Sequence, residues 1–584
     1  MLVFGTFEFD LRSGELRKRG LRIKLQPKPS AVLAALVNSP GNVVTLAQLR
    51  DEVWPSNTFV DFEHSLGIAI WKLRSVLGDS AKNPRFIETL PRRGYRFLAP
   101  VRELSANGRA AGKKMLAVIP FDDLGKPACD DYFADGLTEE LITQIGRLNP
   151  HRLGAIARTS MLRYKSTSKR LDEIATELGV GHLLTGTIRR YGARVRVTAQ
   201  LNQASDQSPV WTGSYDRLST DILDVQIELA EQIASSLAIE LLPEQEERIA
   251  RIRTHSPEAH EFYLQGRFNW NKRTPAGTFT GLEYFKKAVV ADPNHAPSYV
   301  GLADCFAVIG FYGDLPPAEA FGKSKEYARK ALELDDSLAE AHSALAFCLL
   351  EYDWDWSAAE HEHLRAIQLN PNCAPAHHWY GITLIQIGAF PEALRSLRRA
   401  LELDPFDVAV HAMVGRLSYF SHDFDRALIE LRHALDLDGS YLPGIYFHAL
   451  AMLQSGDEKN AIVQLQDLVR VLKEHPIAVS ALAYAYGKAG RHAAANRALN
   501  QLHALAQSSR VSPYFLAFAE AGLERTEQVF TYLEQAFVER FGWLFYLKMD
   551  PVFNFLRMDS RFNDLVHRID PTTGIAGRSA ASGK

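Results

Sequence analysis

Residues 61–79 read DFEHSLGIAIWKLRSVLGD, and residues 84–97 read PRFIETLPRRGYRF. In the first stretch Leu66, Ile70, Leu73 and Leu77 follow the i, i+4, i+7, i+11 spacing of one buried helical stripe. Asp61 is placed to cap its start and Gly78 to end it. The opposite helical face collects His64, Ile68, Trp71 and Ser75, flanked by Lys72 and Arg74. A tryptophan and an isoleucine turned from a core need either a covering neighbour or a surface to touch. A DNA major groove is such a surface, because apolar groups meet thymine methyls there while basic groups hold phosphates. The second stretch reads as a strand, a turn of Pro91, Arg92, Arg93 and Gly94, and a returning strand with Tyr95, Phe97 and Leu98. Two arginines on a hairpin tip are either solvated charge or aimed at an anion.

Upstream, VFGTFEFDL, ELRKRG and LRIKL alternate apolar and polar residues as three strand-like pieces joined at Gly14 and Gly20. Val32, Leu33, Leu36 and Val37 then make one helical stripe, ended by SPGN at 39–42, and TLAQLRDEVW begins a second helix capped by Thr45. Charge separates this head from the rest. The whole chain of 584 residues has a formal net charge of −3, yet residues 1–102 hold 16 Lys and Arg against 9 Asp and Glu, a surplus of +7 that leaves −10 elsewhere. A basic head on an acidic body implies a polyanion partner for the head alone.

A sheet, three helices and a terminal hairpin with a basic tip are the elements of a winged helix. VDFEHSLGIAIWKLRSVLGD followed by PRFIETLPRRGYRF resembles the DNA-binding domain of OmpR/PhoB-type regulators, nearest the CadC- and ToxR-like variety. The resemblance implies a third helix in the major groove and a wing on the adjacent minor groove or its phosphates. Carried over by position, His64, Ile68, Trp71, Lys72, Arg74 and Ser75 would face double-stranded DNA from the helix, and Thr89, Arg92, Arg93 and Arg96 from the wing. Gly67 and Trp71 stand where such domains more often carry polar residues. No receiver domain is expected ahead of the winged helix, so control by a histidine kinase is not implied.

Cys129, Cys305, Cys348 and Cys373 show no CxxC spacing and read as reduced thiols. MLVFGTFEFD lacks the form of a signal peptide, and no run reaches the ~18 apolar residues of a membrane span. A soluble, cytoplasmic protein is expected, with no membrane partner.

From Met115 strands and helices alternate: LAVIPF, EELITQIGRL, HRLGAIART, KRLDEIATELG, then GHLLTGTIRR, RVRVTAQLN and PVWTGSYD, and a long helix from Thr220. This pattern is an α/β unit with a small mixed sheet. IPF, FADGLTEELI, ARTS, ELGVGHLLTGTIRR, RVTAQL and VWTGSYD resemble the TolB N-terminal-like domain, which sits between signalling and repeat modules in bacterial regulators. No GxxxxGK[ST] is present, and GVGHLLTG leads into a strand instead of a helix. Asp122, Asp123, Asp130, Asp131 and Asp135 lack EF-hand spacing and read as solvated loop charge. Arg158, Thr159 and Ser160 are a candidate anion site. No catalytic, cofactor or metal site is expected.

From residue 257 the chain is helical and self-similar. AHHWYGITLIQIGAFPEALRSLRRALELDP (376–405) matches VHAMVGRLSYFSHDFDRALIELRHALDLDG (410–439), and Pro371, Pro405 and Gly439 are 34 residues apart. Gly381 and Gly415, Ala393 and Ala427, and Ala400 and Ala434 supply the small sites where paired helices touch. This resembles the tetratricopeptide repeat, with about eight units and an insertion near GFYGDLPP. The resemblance implies a superhelix whose concave face takes a peptide or protein partner, or self-association. His361 and His363 point to different helix faces, and His377 and His378 read as structural or surface histidines instead of metal ligands.

The expectation is a multidomain α+β chain: a winged helix over 1–102, a linker over 103–113, an α/β domain over 114–243, an all-α solenoid over 257–570 and a disordered tail over 571–584. Its function would be sequence-specific transcription regulation without enzymatic activity. Two alternatives stay open. One is a scaffold with only non-specific DNA binding; the other is a middle domain that binds a nucleotide or another small ligand.

Overall fold

The computed structural model describes most of residues 2–103 and 114–239 and all of 256–570, with 11–14, 39–42, 54–61, 80–83, 125–131 and some shorter stretches outside the description. The expected cap Asp61, the loop residues Gly14, Gly20, Pro91 and Arg92, the acidic pair Asp130 and Asp131, Cys129, the linker from 104 and the tail from 571 therefore lie outside the described residues.

The N-terminal unit spans Met1–Lys113. Its strands β1 (Leu2–Phe4), β2 (Phe7–Asp10), β3 (Glu15–Lys18) and β4 (Leu21–Ile23) run antiparallel. The alternating run expected as one strand folds back on itself, pairing Phe4 with Phe7, so that Phe7, Phe9 and Leu16 share the buried face. Helices α1 (Pro27–Val37), α2 (Leu46–Val53) and α3 (Phe62–Leu77) flank the short strand β5 (Val43–Thr45); β6 (Ile87–Leu90) and β7 (Gly94–Phe97) form the hairpin; β8 (Arg102–Glu103) pairs with β1. Glu103, expected in a linker, is thus partner to Leu2 in the first sheet. Val32, Leu33, Leu36 and Val37 of α1 meet Leu66, Ile70, Leu73 and Leu77 of α3 in one core. Thr45 caps α2 as expected: its hydroxyl accepts from Gln48 N, and Gln48 Oε1 accepts from Thr45 N at 2.8 Å, a reciprocal box that satisfies two end donors.

A second unit begins at Lys114. Strands β9 (Lys114–Val118), β10 (Asp122–Asp123), β11 (Leu153–Ala155), β12 (His182–Tyr191), β13 (Arg194–Gln203) and β14 (Pro209–Leu218) form one mixed sheet ordered β11-β9-β12-β13-β14, with β10 pairing β12. The β11–β9–β12 pairs are parallel and β12–β13–β14 antiparallel. Alternate side chains face opposite ways along a strand. Leu116 and Val118 of β9 accordingly join α4 (Tyr132–Leu148) and α7 (Ile222–Ser236), while Met115 and Ala117 join α5 (Arg158–Met161) and α6 (Leu171–Leu178).

Beyond Ser256 eight antiparallel helix pairs follow: 257–270 with 275–291, 296–312 with 317–334, 339–348 with 356–369, 374–386 with 390–403, 408–420 with 424–437, 442–454 with 458–471, 476–488 with 492–508, and 513–521 with 526–538. The small residues do what their spacing requires. A Cβ on Gly381 would stand 2.7 Å from Leu397, and one on Gly415 2.5 Å from Leu431. The unit count agrees with the sequence, but Gly542–Tyr546 and Pro551–Leu556 are 3₁₀ turns, and one amphipathic helix, Ser560–Ile569, closes the end.

The α/β domain is seated on this solenoid. Asn372, in the turn before the fourth pair, donates its amide to the carbonyls of Gly146, Pro150 and Leu153. Glu139 receives Arg267 at 2.7 Å and Asn271 at 2.9 Å; burial alone would raise its carboxyl, and Arg267 with Arg158 overcomes that and holds it below the usual range. The suggested anion site at Arg158–Ser160 is occupied by the protein's own carboxylates. Arg158 pairs with Asp135, and Asp404 of the solenoid accepts from Ser160 N at 2.9 Å and from the Ser160 hydroxyl. Asp135, expected in solvent, is buried between Arg158 and Lys165, and Asp123 pairs with Arg190. These carboxylates are structural because buried charge requires paired partners.

Candidate nucleic-acid interface

In the N-terminal unit α3 has one face in the core and one in solvent. On the solvent face Trp71 is 67% exposed and Ile68 42% exposed, and a Cβ added at the neighbouring Gly67 would meet nothing within 4 Å. None of the described elements covers this apolar pair. The helix carries no acidic residue beyond Glu63.

The wing is fixed by backbone geometry. Gly94 has φ +146° and a Cβ there would lie 2.0 Å from Val44 O, so only glycine lets β7 pass β5 this closely. Arg93 N donates to Leu90 O at 3.0 Å and Arg93 O accepts from Leu46 N at 3.3 Å. Both backbone groups of Arg93 are therefore held, while its side chain is exposed at the turn.

Helix and wing are tied together by residues expected at the interface. Arg74 Nη2 donates to Ile87 O at 2.7 Å and to Thr89 Oγ1 at 2.9 Å. Arg96 pairs with Glu88 across the hairpin at 3.2 Å, in the strand register that sets these two opposite each other. Lys72 Nζ donates to Gln26 Oε1 at 2.6 Å at the start of α1. Asp79 completes the junction, accepting from Ile87 N at 2.8 Å and Phe86 N at 3.3 Å. Of the ten expected residues, Ile68, Trp71 and Arg93 present themselves to solvent, Arg74 and Thr89 meet each other, and Lys72 and Arg96 have protein partners. Arg92 and the side chains of His64 and Ser75 lie outside the described residues. Sequence reasoning missed Gln26, Glu88 and Asp79. The register of a hairpin would have found Glu88, since Glu88 and Arg96 are equidistant from the turn; no local pattern points to the other two.

Among the described residues no group of three or more His, Cys, Asp or Glu could hold a metal ion, and no helix is long and apolar enough to cross a membrane.

Residues 20–97 match the family "Transcriptional regulatory protein, C terminal", so the N-terminal unit contains an OmpR/PhoB-type DNA-binding domain. The chain is similar to the transcriptional regulator HilA of Salmonella typhimurium, 26% identical over 405 residues that make up 69% of this chain and 70% of that one. It is 36% identical over 107 residues, 18% of its length and 37% of the relative's, to a cholera toxin homolog transcriptional activator of Vibrio parahaemolyticus. A putative adenylate cyclase 3 of Rhizobium meliloti is 30% identical over 253 residues, 43% of this chain; the chain spans only 42% of that protein's length.

Proposed function

We propose that the chain is a cytoplasmic, sequence-specific transcription regulator in which α3 enters the major groove and the wing reaches the adjacent groove. The carrying observation is the uncovered Trp71–Ile68 pair on the solvent face of α3, in the same domain as the exposed Arg93 of the wing turn. Trp71 and Ile68 would supply apolar contact to base edges, a source of sequence preference, with His64, Lys72 and Ser75 beside them. Arg92 and Arg93 would supply phosphate contacts, which position the domain without reading sequence. Arg74, Thr89 and Arg96 support the wing first and reach DNA only by exchanging their present partners. The repeats would take a protein partner or a second copy of the chain; Ile429, Val471 and Val538, exposed on second helices of their pairs, support an outer docking face. The cyclase activity named for one relative is not carried over.

One observation favours a scaffold with non-specific affinity instead: Lys72, Arg74 and Arg96 already have protein partners, which leaves fewer side chains free to read base edges while most of their charge stays available to phosphates. Mapping the sites occupied in the cell separates the two. A regulator yields a reproducible motif that Trp71→Ala blurs while occupancy persists; occupancy with no motif in the unaltered protein favours the scaffold.

A further inference from the structure

Hydrogen bonds between distant repeats cross the solenoid. The turn after the helix Ala296–Tyr312, where the sequence carries its insertion, reaches across to the far end of the superhelix. Asp314 accepts from His475 at 3.1 Å, Gly313 O accepts from Arg510 at 3.0 Å, and Phe311 O accepts from the Trp543 indole at 2.9 Å. Arg540 adds a bond to Tyr352 O at 3.2 Å. These bonds fold the repeats around a chamber of about 190 Å³.

Arg416, from the first helix of the fifth pair, lines that chamber and is only 4% exposed. Its guanidinium carbon lies 4.3 Å from the Tyr546 ring centre, 4.6 Å from Phe447 and 5.5 Å from Trp543. Aromatic faces attract a cation but give it no hydrogen bonds, and Arg416 Nε and Nη2 have no hydrogen-bond partner among the described residues. Glu351 and Asp550 act on Arg416 through space, without a hydrogen bond to it. Glu351 accepts from Gln386, and Asp550 accepts from Val552 N at 3.0 Å and Tyr419 at 3.3 Å. Burial first of all pushes both carboxyls above their usual range, Glu351 to about 7 and Asp550 to about 6, and Arg416 offsets part of the rise in each. Arg273, in the turn of the first pair, brings a second guanidinium to the chamber. A buried arginine with two unpartnered nitrogens, at the wall of a pocket lined by Trp270 and Trp379, is the complement of an anion attached to an apolar body.

The geometry points to the chamber as a binding site for a small organic carboxylate with an aromatic or aliphatic body, its carboxylate on Arg416 and its body against Trp270 and Trp379. Size decides the occupant, because about 190 Å³ takes a small organic acid and is too little for a peptide helix or a continuous strand. The site stands on these residues alone and does not depend on the DNA-binding reading.

Full-length protein titrated calorimetrically with 4-phenylbutyrate and with indole-3-propionate, each against its own primary amide, tests this. At least one acid binds at a single site, roughly tenfold to a hundredfold tighter than its amide, and quenches tryptophan fluorescence. Arg416→Met removes the preference for the acid without lowering the melting temperature. Met413→Trp, which narrows the chamber and leaves Arg416 in place, weakens both ligands. Failure of both acids to bind, an acid–amide preference that survives Arg416→Met, or loss of the fold in Arg416→Met with no effect of Met413→Trp would each overturn the assignment. So would binding by a peptide ending in an indole-propionyl group where the free acids do not bind.

Discussion

Arg74 shows how one side chain divides between fold and function. Helical periodicity puts it beside the exposed face of α3, where a phosphate is the natural partner, yet its guanidinium holds Ile87 O and Thr89 Oγ1. Hydrogen bonds to a charged donor contribute about 1.5–3 kcal/mol each. Arg74→Ala should therefore loosen the helix–wing junction by about 2 kcal/mol, seen as a lower melting temperature of the N-terminal domain and faster amide exchange in Ile87–Leu90. The salt dependence of DNA binding should change little; a flatter salt dependence with unchanged stability would refute this role. Trp71 is the opposite case, with a large exposed apolar area.

Elements were legible in the sequence wherever one periodicity ruled. The stripe of α3, the cap on α2 and the 34-residue repeat were readable because each depends on residues within one or two turns or on a simple recurrence. The fold-back of β1 onto β2, the pairing of β8 and the burial of Asp135 were not, because each is set by a backbone reversal or a partner that no local pattern marks. The histidines of the repeats follow the same divide. Spacing left His363 either structural or at the surface; its complete burial, with Nε2 3.0 Å from the Thr383 hydroxyl, comes from the next helix pair. Burial lowers it from the ordinary value near 6.5 to about 3. Between those values the unfolded chain binds a proton that the folded chain does not, so stability falls as pH drops below about 6.5, by about 1.4 kcal/mol per pH unit. Glu351 and Asp404, raised chiefly by burial to about 7 and about 8, act in the opposite direction. Comparison of urea midpoints at pH 6.5 and 5.0 for the unaltered protein and His363→Leu isolates the histidine: the variant should lose less stability on acidification, and equal losses would contradict its burial as neutral imidazole.

At the scale of the whole molecule, two compact units carry different chemistry. Of the candidate DNA surface, the exposed Ile68, Trp71 and Arg93 were legible because they lie close in sequence, while the protein partners held by Lys72, Arg74 and Arg96 were not. The pocket around Arg416 was invisible there. Arg416 sits in an ordinary repeat, and its aromatic surroundings come from positions up to 130 residues away, with Tyr546 among the most distant. Charge remains the sharpest test of the division of labour, because +7 at one end of a chain of net charge −3 makes long-range affinity a property of the wing and its neighbours. The most direct measurement is the affinity of the full chain for duplex DNA across a salt series, with and without Arg92→Ala and Arg93→Ala. The log–log slope should flatten by about 0.9 for each phosphate no longer neutralised, with the melting temperature unchanged; an unaltered slope in the double variant would contradict the wing as a DNA-binding element.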